Sequence, residues 1–254
     1  MCLRLLVSPL VVMSLVLAAC GDDDAGGAGD VDVSGLVDDR SDAEVEADVA
    51  LAEDALLQLS DLPDGWGATE PEADDGASEA EDDETTDQLF QCLDIPEADR
   101  EVLENERVDV DSDDFDLDDA TASSSIGVFP SDQYAAAVFA PFHSPNFEDC
   151  FRELTEEEFA KGLESEGEEV PGLEINDISI EPLDFDDRGD DSAAYRLSIS
   201  ATVSDIDFEA HSDFIAFRVG RSLVSLELSN VDAPFDADLA EELADIVEER
   251  AGGI

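Results

Sequence analysis

The stretch Tyr195-Arg196-Leu197-Ser198-Ile199-Ser200-Ala201-Thr202-Val203 decides the fold. Its apolar side chains fall on every second residue, the period of a strand that buries one face and wets the other. Downstream, Phe208–Val219 and Leu223–Leu228 flank Gly220-Arg221, which reads as a hairpin. Upstream, Leu173, Ile175, Ile178 and Ile180 alternate with a break at Asn176-Asp177, and Ser124–Phe129 reads as a further strand. These segments predict an antiparallel sheet of about five strands.

Helical patterns stand on either side of the strands. Ser41 and Glu44 have capping-box spacing, and Val45, Val49, Ala52, Leu56 and Leu59 follow as one stripe, ending near Ser60. Asp132–Phe142 reads as a helix with Tyr134 and Val138 inward. Phe147, Cys150, Phe151 and Leu154 continue helically, and Thr155-Glu156-Glu157-Glu158 carries the signature of a new helix start. Asp236 caps a last helix with Leu239, Leu243, Ile246 and Val247 on its inner face. Short helices are expected around Leu89–Cys92 and from Glu97 to Asn105. Strands joined by hairpins, with helices grouped before and after, predict a single α+β domain over residues 41–251. The acidic stretch 69–86 reads as a disordered loop within it.

Charge is the dominant compositional fact. Seventy acids oppose eleven basic residues, for a formal net of −59, and Lys161 is the only lysine. Such a chain repels itself unless salt screens it, so the sequence predicts a folded domain adapted to a saline medium. The same charge argues against nucleic acid or anionic lipid surfaces as partners.

Residues 1–19 read as an export signal: Arg4 precedes an apolar run, Leu5–Leu17, that is shorter than a membrane-spanning helix. Leu17-Ala18-Ala19-Cys20 resembles the bacterial lipobox, and this resemblance implies diacylglyceryl attachment to Cys20. Residues 20–40, rich in Asp and Gly, then form a flexible acidic tether. The predicted location is the extracytoplasmic face of the cell membrane, with the membrane met through a lipid anchor.

A loose plan of short motifs runs through the remainder. It comprises Leu62-Pro63-Asp64-Gly65-Trp66, Cys92, Ala135-Ala136-Ala137, Phe147 to Cys150, Gly189-Asp190-Asp191-Ser192, Arg218 to Arg221, and Arg250. In this plan the chain resembles actinobacterial exported lipoproteins and sensor-type extracellular domains, similar in outline to those of PknH-type mycobacterial kinases. The resemblance implies fold and location and brings no catalytic residues.

Cys92 and Cys150 are the cysteines left once Cys2 is removed with the export signal and Cys20 is lipidated, and in an oxidising compartment they are expected to bond. Their rivals are two free thiols, or a metal pair with a histidine. Asp109, Asp111 and Asp113 carry the first spacings of a calcium loop, but Asp114 stands where its glycine would be and Ala120 where its glutamate would be. A second acidic cluster, from Asp184 to Asp191 around Gly189, reads as a solvated turn. His143 and His211 are the two histidines, and neither belongs to a nucleophile-elbow, zinc-protease or phosphate-loop motif. No catalytic residue, cofactor or dedicated metal site is therefore predicted. Trp66 reads as a core plug or a stacking surface, and Arg218 and Arg221 as an anion clamp or as partners of nearby carboxylates. These three are the candidate ligand-binding residues. The expected function is non-catalytic binding of a small molecule or cell-envelope component, with a purely structural or protein-interaction lipoprotein as the alternative. Binding predicts a concave, partly apolar pocket lined by several strands.

Overall fold

The computed structural model describes residues 40–69, 88, 89, 91–93, 95, 108–165, 173–203 and 206–254. The signal segment, Cys20 and its tether up to residue 39, the loop core 70–86 and the expected helix at 97–105 lie outside these residues. Arg40, read as the end of the tether, instead donates to Asp48 at 3.0 Å and to Val128 O at 3.2 Å.

The strands are β1 (Gly67–Thr69), β2 (Val108–Asp111), β3 (Asp114–Leu117), β4 (Ala120–Val128), β5 (Leu173–Pro182), β6 (Asp191–Val203), β7 (Ile206–Val219) and β8 (Ser222–Val231). They form one antiparallel sheet of eight strands in the order β1-β3-β4-β8-β7-β6-β5, with β2 also pairing β4. The expected count of about five is thus too low. β1 to β3 were hidden: β1 is three residues long, and β2 and β3 are acid-rich segments separated by Ser112-Asp113. Both pair with the same edge of β4, β2 with residues 125–128 and β3 with residues 120–122. At the break, Ser112 N–H donates to Ser124 O and Ser112 Oγ accepts from Ser124 N–H, each at 2.9 Å. Thr69, assigned from the sequence to the loop, closes β1 opposite Asp114. The expected features at the other end are present: a register shift at Ile175/Asp177 in β5, and a β7–β8 hairpin turning at Gly220, whose φ is +57°.

Among the described residues four α-helices cover the sheet: α1 (Asp42–Ala55), α2 (Asp132–Phe139), α3 (Phe147–Ser165) and α4 (Ala237–Ala251). Glu44 accepts hydrogen bonds from the Ser41 N–H and hydroxyl, both 2.7 Å, which fixes the start of α1. That helix ends at Ala55, earlier than the apolar stripe suggests, because Leu56 turns extended (ψ 158°). Helix α3 runs without the predicted restart. Thr155, the supposed cap, lies buried inside it with its hydroxyl on Phe151 O at 2.8 Å.

Strand alternation sends neighbouring residues into two cores. Leu197, Ile199, Ala216 and Leu223 face a layer built from α2, α3 and Leu89. Ile126, Ile215, Phe217, Val224 and Leu226 face the opposite layer, built from α1 and α4. The layers are offset. Helix α3 packs on β5 and α2 on β7 and β8, whereas α1 packs on β2 and β4 and α4 on β8. Cys92 and Cys150 form a disulfide that ties residues 91–93 to α3 across 58 positions.

Candidate functional site

The sequence-derived candidates do not converge on one site. Trp66 is half-buried with its ring 6.1 Å from that of Phe235, as part of the α1–α4 core. Arg218 donates to Asp190 at 3.3 Å and to the carbonyl of Gly220 at 3.1 Å. Arg221 donates to Asp48 at 2.8 Å and to Phe129 O at 3.3 Å. The arginines are thus held by carboxylates and carbonyls of their own chain.

This engagement extends to every described arginine. Arg40 joins Asp48, Arg152 joins Asp149, Arg196 joins Asp213, and Arg250 joins Asp61. Arg188 fastens the β5–β6 loop to α4 through Glu241 and Asp245, with its guanidinium 5.6 Å above the Phe185 ring. The acidic cluster around Gly189 is consequently a latch. Asp190 accepts from the Gly220 N–H at 2.8 Å, Gly189 N–H donates to Glu248 at 2.8 Å, and Asp191 holds His143 at 2.8 Å. With its arginines committed, the described surface has no free guanidinium for an anion.

The other chemical candidates are also local. Asp109 and Asp111 lie in β2 and Asp113 in the break before β3, and among the described residues no three His, Cys, Asp or Glu side chains form a metal-binding group. His211 Nδ1 lies 3.0 Å from Ser198 Oγ, and its Nε2 lies 3.8 Å from Glu209. That Ser-His-Glu arrangement sits flat on two internal strands, with Ser179 opposite Ser198 and Asn230 opposite His211 on the outer sides. The neighbouring backbone N–H groups are committed to the ladder, so the arrangement lacks the oxyanion donors that acyl transfer requires.

Two features remain. An open groove of about 450 Å³ crosses β5, β6 and β7 near Asn176, Ser200, Thr202, Asp207, Phe208 and Glu209. It is lined by several strands as expected but is more polar than predicted. Thr202 already donates to Asp207 at 2.7 Å and accepts from Asn176 at 2.9 Å.

The second feature is Glu227, which sequence reasoning missed. Cross-strand partners share a face of the sheet, and Glu227 stands opposite Ser123 on one side and Phe214 on the other. The row continues to Tyr195, whose hydroxyl donates to Phe142 O at 2.7 Å. The adjacent row on the same face holds Ser125 opposite Ser225, and the next holds Thr121, Ser229 and Ser212, with Thr121 and Ser229 hydroxyls 2.5 Å apart. Phe214 packs edge-on against Phe151 of α3, at 5.5 Å. Glu227 therefore lies where the helical layer stops and a floor of hydroxyls begins. Burial, with a smaller contribution from the charge of Asp114, pushes its carboxyl up to about 8. Asp114 is itself raised, by burial and then by Asp116, Asp113 and Asp111. At neutral pH Glu227 is mainly a protonated acid and can donate a hydrogen bond. The signal available in the sequence was the polar face of β4 and β8, which carries serines with this one glutamate among them.

No family model and no curated protein matches the chain. Among solved structures, the extracellular domain of PknH from Mycobacterium tuberculosis is similar at 6% identity and a TM-score of 0.31, over 66% of this chain and 70% of that one. LpqN, involved in cell envelope biogenesis of Mycobacterium tuberculosis, is similar at 13% identity and a TM-score of 0.25, over 74% and 78%. PA94 from Pseudomonas aeruginosa, a protein of unknown function, is similar at 17% identity and a TM-score of 0.18, over 62% and 85%.

Proposed function

We propose that the protein is a lipid-anchored extracytoplasmic domain that binds a small molecule or cell-envelope component without catalysis. The observation that carries the binding role is Glu227, a carboxyl held largely neutral on a half-buried, hydroxyl-lined sheet face beside an aromatic ring. Among the described residues no ion pair or hydrogen bond engages its side chain. A carboxyl that keeps its proton among serine hydroxyls offers an incoming ligand a hydrogen-bond donor. The Cys92–Cys150 disulfide supports an oxidising compartment, and Leu17-Ala18-Ala19-Cys20 supports attachment at Cys20.

Both parts are testable on the full chain expressed in a bacterial host. Metabolic labelling with palmitate is expected to mark the wild type, and Cys20→Ala is expected to lose the label and leave the membrane fraction. Equal membrane retention by the unlabelled variant would overturn the anchor. Thermal-shift screening in high salt against sugars, amino acids, lipids and Ca²⁺ tests the binding role. A shift that Glu227→Ala removes supports it, and silence from every class points to the protein-interaction alternative.

A further inference from the structure

We infer that the row Ser123, Glu227 and Phe214 recognises a neutral, polyhydroxylated ligand, an oligosaccharide, with Glu227 donating a hydrogen bond to a sugar oxygen. This rests on the binding role proposed above and names the ligand class for it.

The chemistry of the face selects among ligand classes. An anion meets a chain of formal net charge −59 whose described arginines are all paired. A wholly apolar ligand would cover the hydroxyls of Ser123, Ser125 and Ser225 and leave them without partners, which opposes its binding. A cation would have to displace the Glu227 proton, and no metal-binding group of acids is found among the described residues. A sugar meets none of these obstacles. Its hydroxyls donate and accept, as do the serines, and a protonated carboxyl supplies a donor that an ionised one lacks. Phe214, half-buried and fixed by Phe151, offers apolar ring surface beside those polar groups for the C–H face of a pyranose.

The charged groups facing Glu227 are consistent with its staying protonated. Strand β3 brings Asp114 and Asp116, with Asp111 and Asp113 beside them. On the same face, β4 brings Thr121, Ser123 and Ser125, and β7 brings Ser212 and Phe214. Beyond them, α3 carries Glu148, whose charge acts on Tyr195. The charge that acts on Glu227 is that of Asp114, so ionising Glu227 adds a like charge beside it.

The test is calorimetric titration of the full chain with chitohexaose and with maltohexaose in high salt. At least one is expected to bind near pH 6.5 and to weaken by about tenfold or more near pH 9.5, where a group titrating at about 8 has lost its proton. Glu227→Gln keeps a donor and cannot ionise, so the difference in affinity between pH 6.5 and pH 9.5 is expected to disappear in it. Ser123→Val with Ser225→Val is expected to weaken binding by about tenfold or more. Binding near pH 6.5 that Glu227→Gln abolishes would overturn the donor role. No binding of either sugar, with a thermal shift from lipids or amino acids, would overturn the sugar assignment and leave the binding role standing. No response to any class would overturn both. Cooperative melting of each variant shows that a loss is not unfolding.

Discussion

Arg221 grips the carboxylate of Asp48 with two nitrogens, one at 2.8 Å, across 173 positions of sequence. Asp48 is 3% exposed on α1, and Arg40 donates at 3.0 Å to Oδ2, the oxygen that Arg221 contacts at 2.8 Å. The hydrogen bond from Arg221, against the opposing cost of burial, holds the Asp48 carboxyl below the usual carboxylate range. Two guanidiniums on one buried carboxylate join the start of α1 to the β7–β8 hairpin. Removing the anion leaves both cations poorly solvated, and breaking such a pair typically costs about 3–5 kcal/mol. Asp48→Ala is therefore expected to lose about that much in urea denaturation, and a loss below about 1 kcal/mol would contradict it. The pH sign follows from the lowered pKa. The contribution is present above the unfolded value of about 3.9 and disappears as pH falls through the folded value.

Glu227 makes the opposite contribution. Its folded pKa of about 8 lies above the unfolded value of about 4.3, so between those limits the native state holds a proton that the unfolded state has lost. Stability from this group is full below the unfolded pKa and is lost as pH rises through the folded one. Glu227→Gln removes the loss. It is expected to melt above wild type at high pH, by roughly 2–4 °C for each kcal/mol of ionisation cost removed, and level with it in mild acid. Parallel melting curves across that window would refute the assignment.

Gly189 permits the latch between the β5–β6 loop and α4. Its φ is +56°, and a Cβ there would lie 2.1 Å from the carbonyl oxygen of Arg218. Neither the left-handed backbone nor that contact tolerates a side chain. Gly189→Ala is expected to destabilise by about 2 kcal/mol or more, read as a shift in urea midpoint at constant slope. The change should leave the Cys92–Cys150 bond intact.

The disulfide closes a loop of 58 residues. Constraining the unfolded chain over that length is worth about 4 kcal/mol on the chain-entropy relation. The double variant Cys92→Ala, Cys150→Ala should lose most of that in equilibrium unfolding. A difference below about 1 kcal/mol would mean that the packing of Leu89 and Ile95 against α3 already restrains the unfolded ensemble.

What the sequence made legible was local. Strands β5 to β8 show in the alternation around Leu197 and Ile199, and the caps Ser41 and Asp236 lie within four residues of the groups they satisfy. β2 and β3 stayed hidden because aspartate is a poor strand former and because Ser112-Asp113 interrupts the alternation. The long-range partners were illegible for a different reason. Nothing near Asp48 marks it as buried until the β7–β8 turn delivers Arg221. Glu227 likewise reads as a solvent-facing residue between Leu226 and Leu228 until register places Ser123 and Phe214 beside it.

Salt response weighs two opposing effects of the same charges. Added salt weakens ion pairs, and the described arginines are all in such pairs. The pairs that matter most are buried, however: Asp48 and Asp213 are 3% and 2% exposed, and buried pairs are screened little. The remaining described acids are mostly exposed and repel one another, an interaction that salt suppresses strongly as the Debye length falls from about 10 Å at 0.1 M to about 3 Å at 1 M. Relief of repulsion should therefore exceed loss of attraction, and the Tm is expected to rise by several degrees between low salt and about 2 M NaCl. Potassium chloride at equal ionic strength should act alike, since screening depends on charge and concentration. A flat or falling Tm would show that the arginine pairs, rather than the unpaired acids, control the electrostatics of this fold.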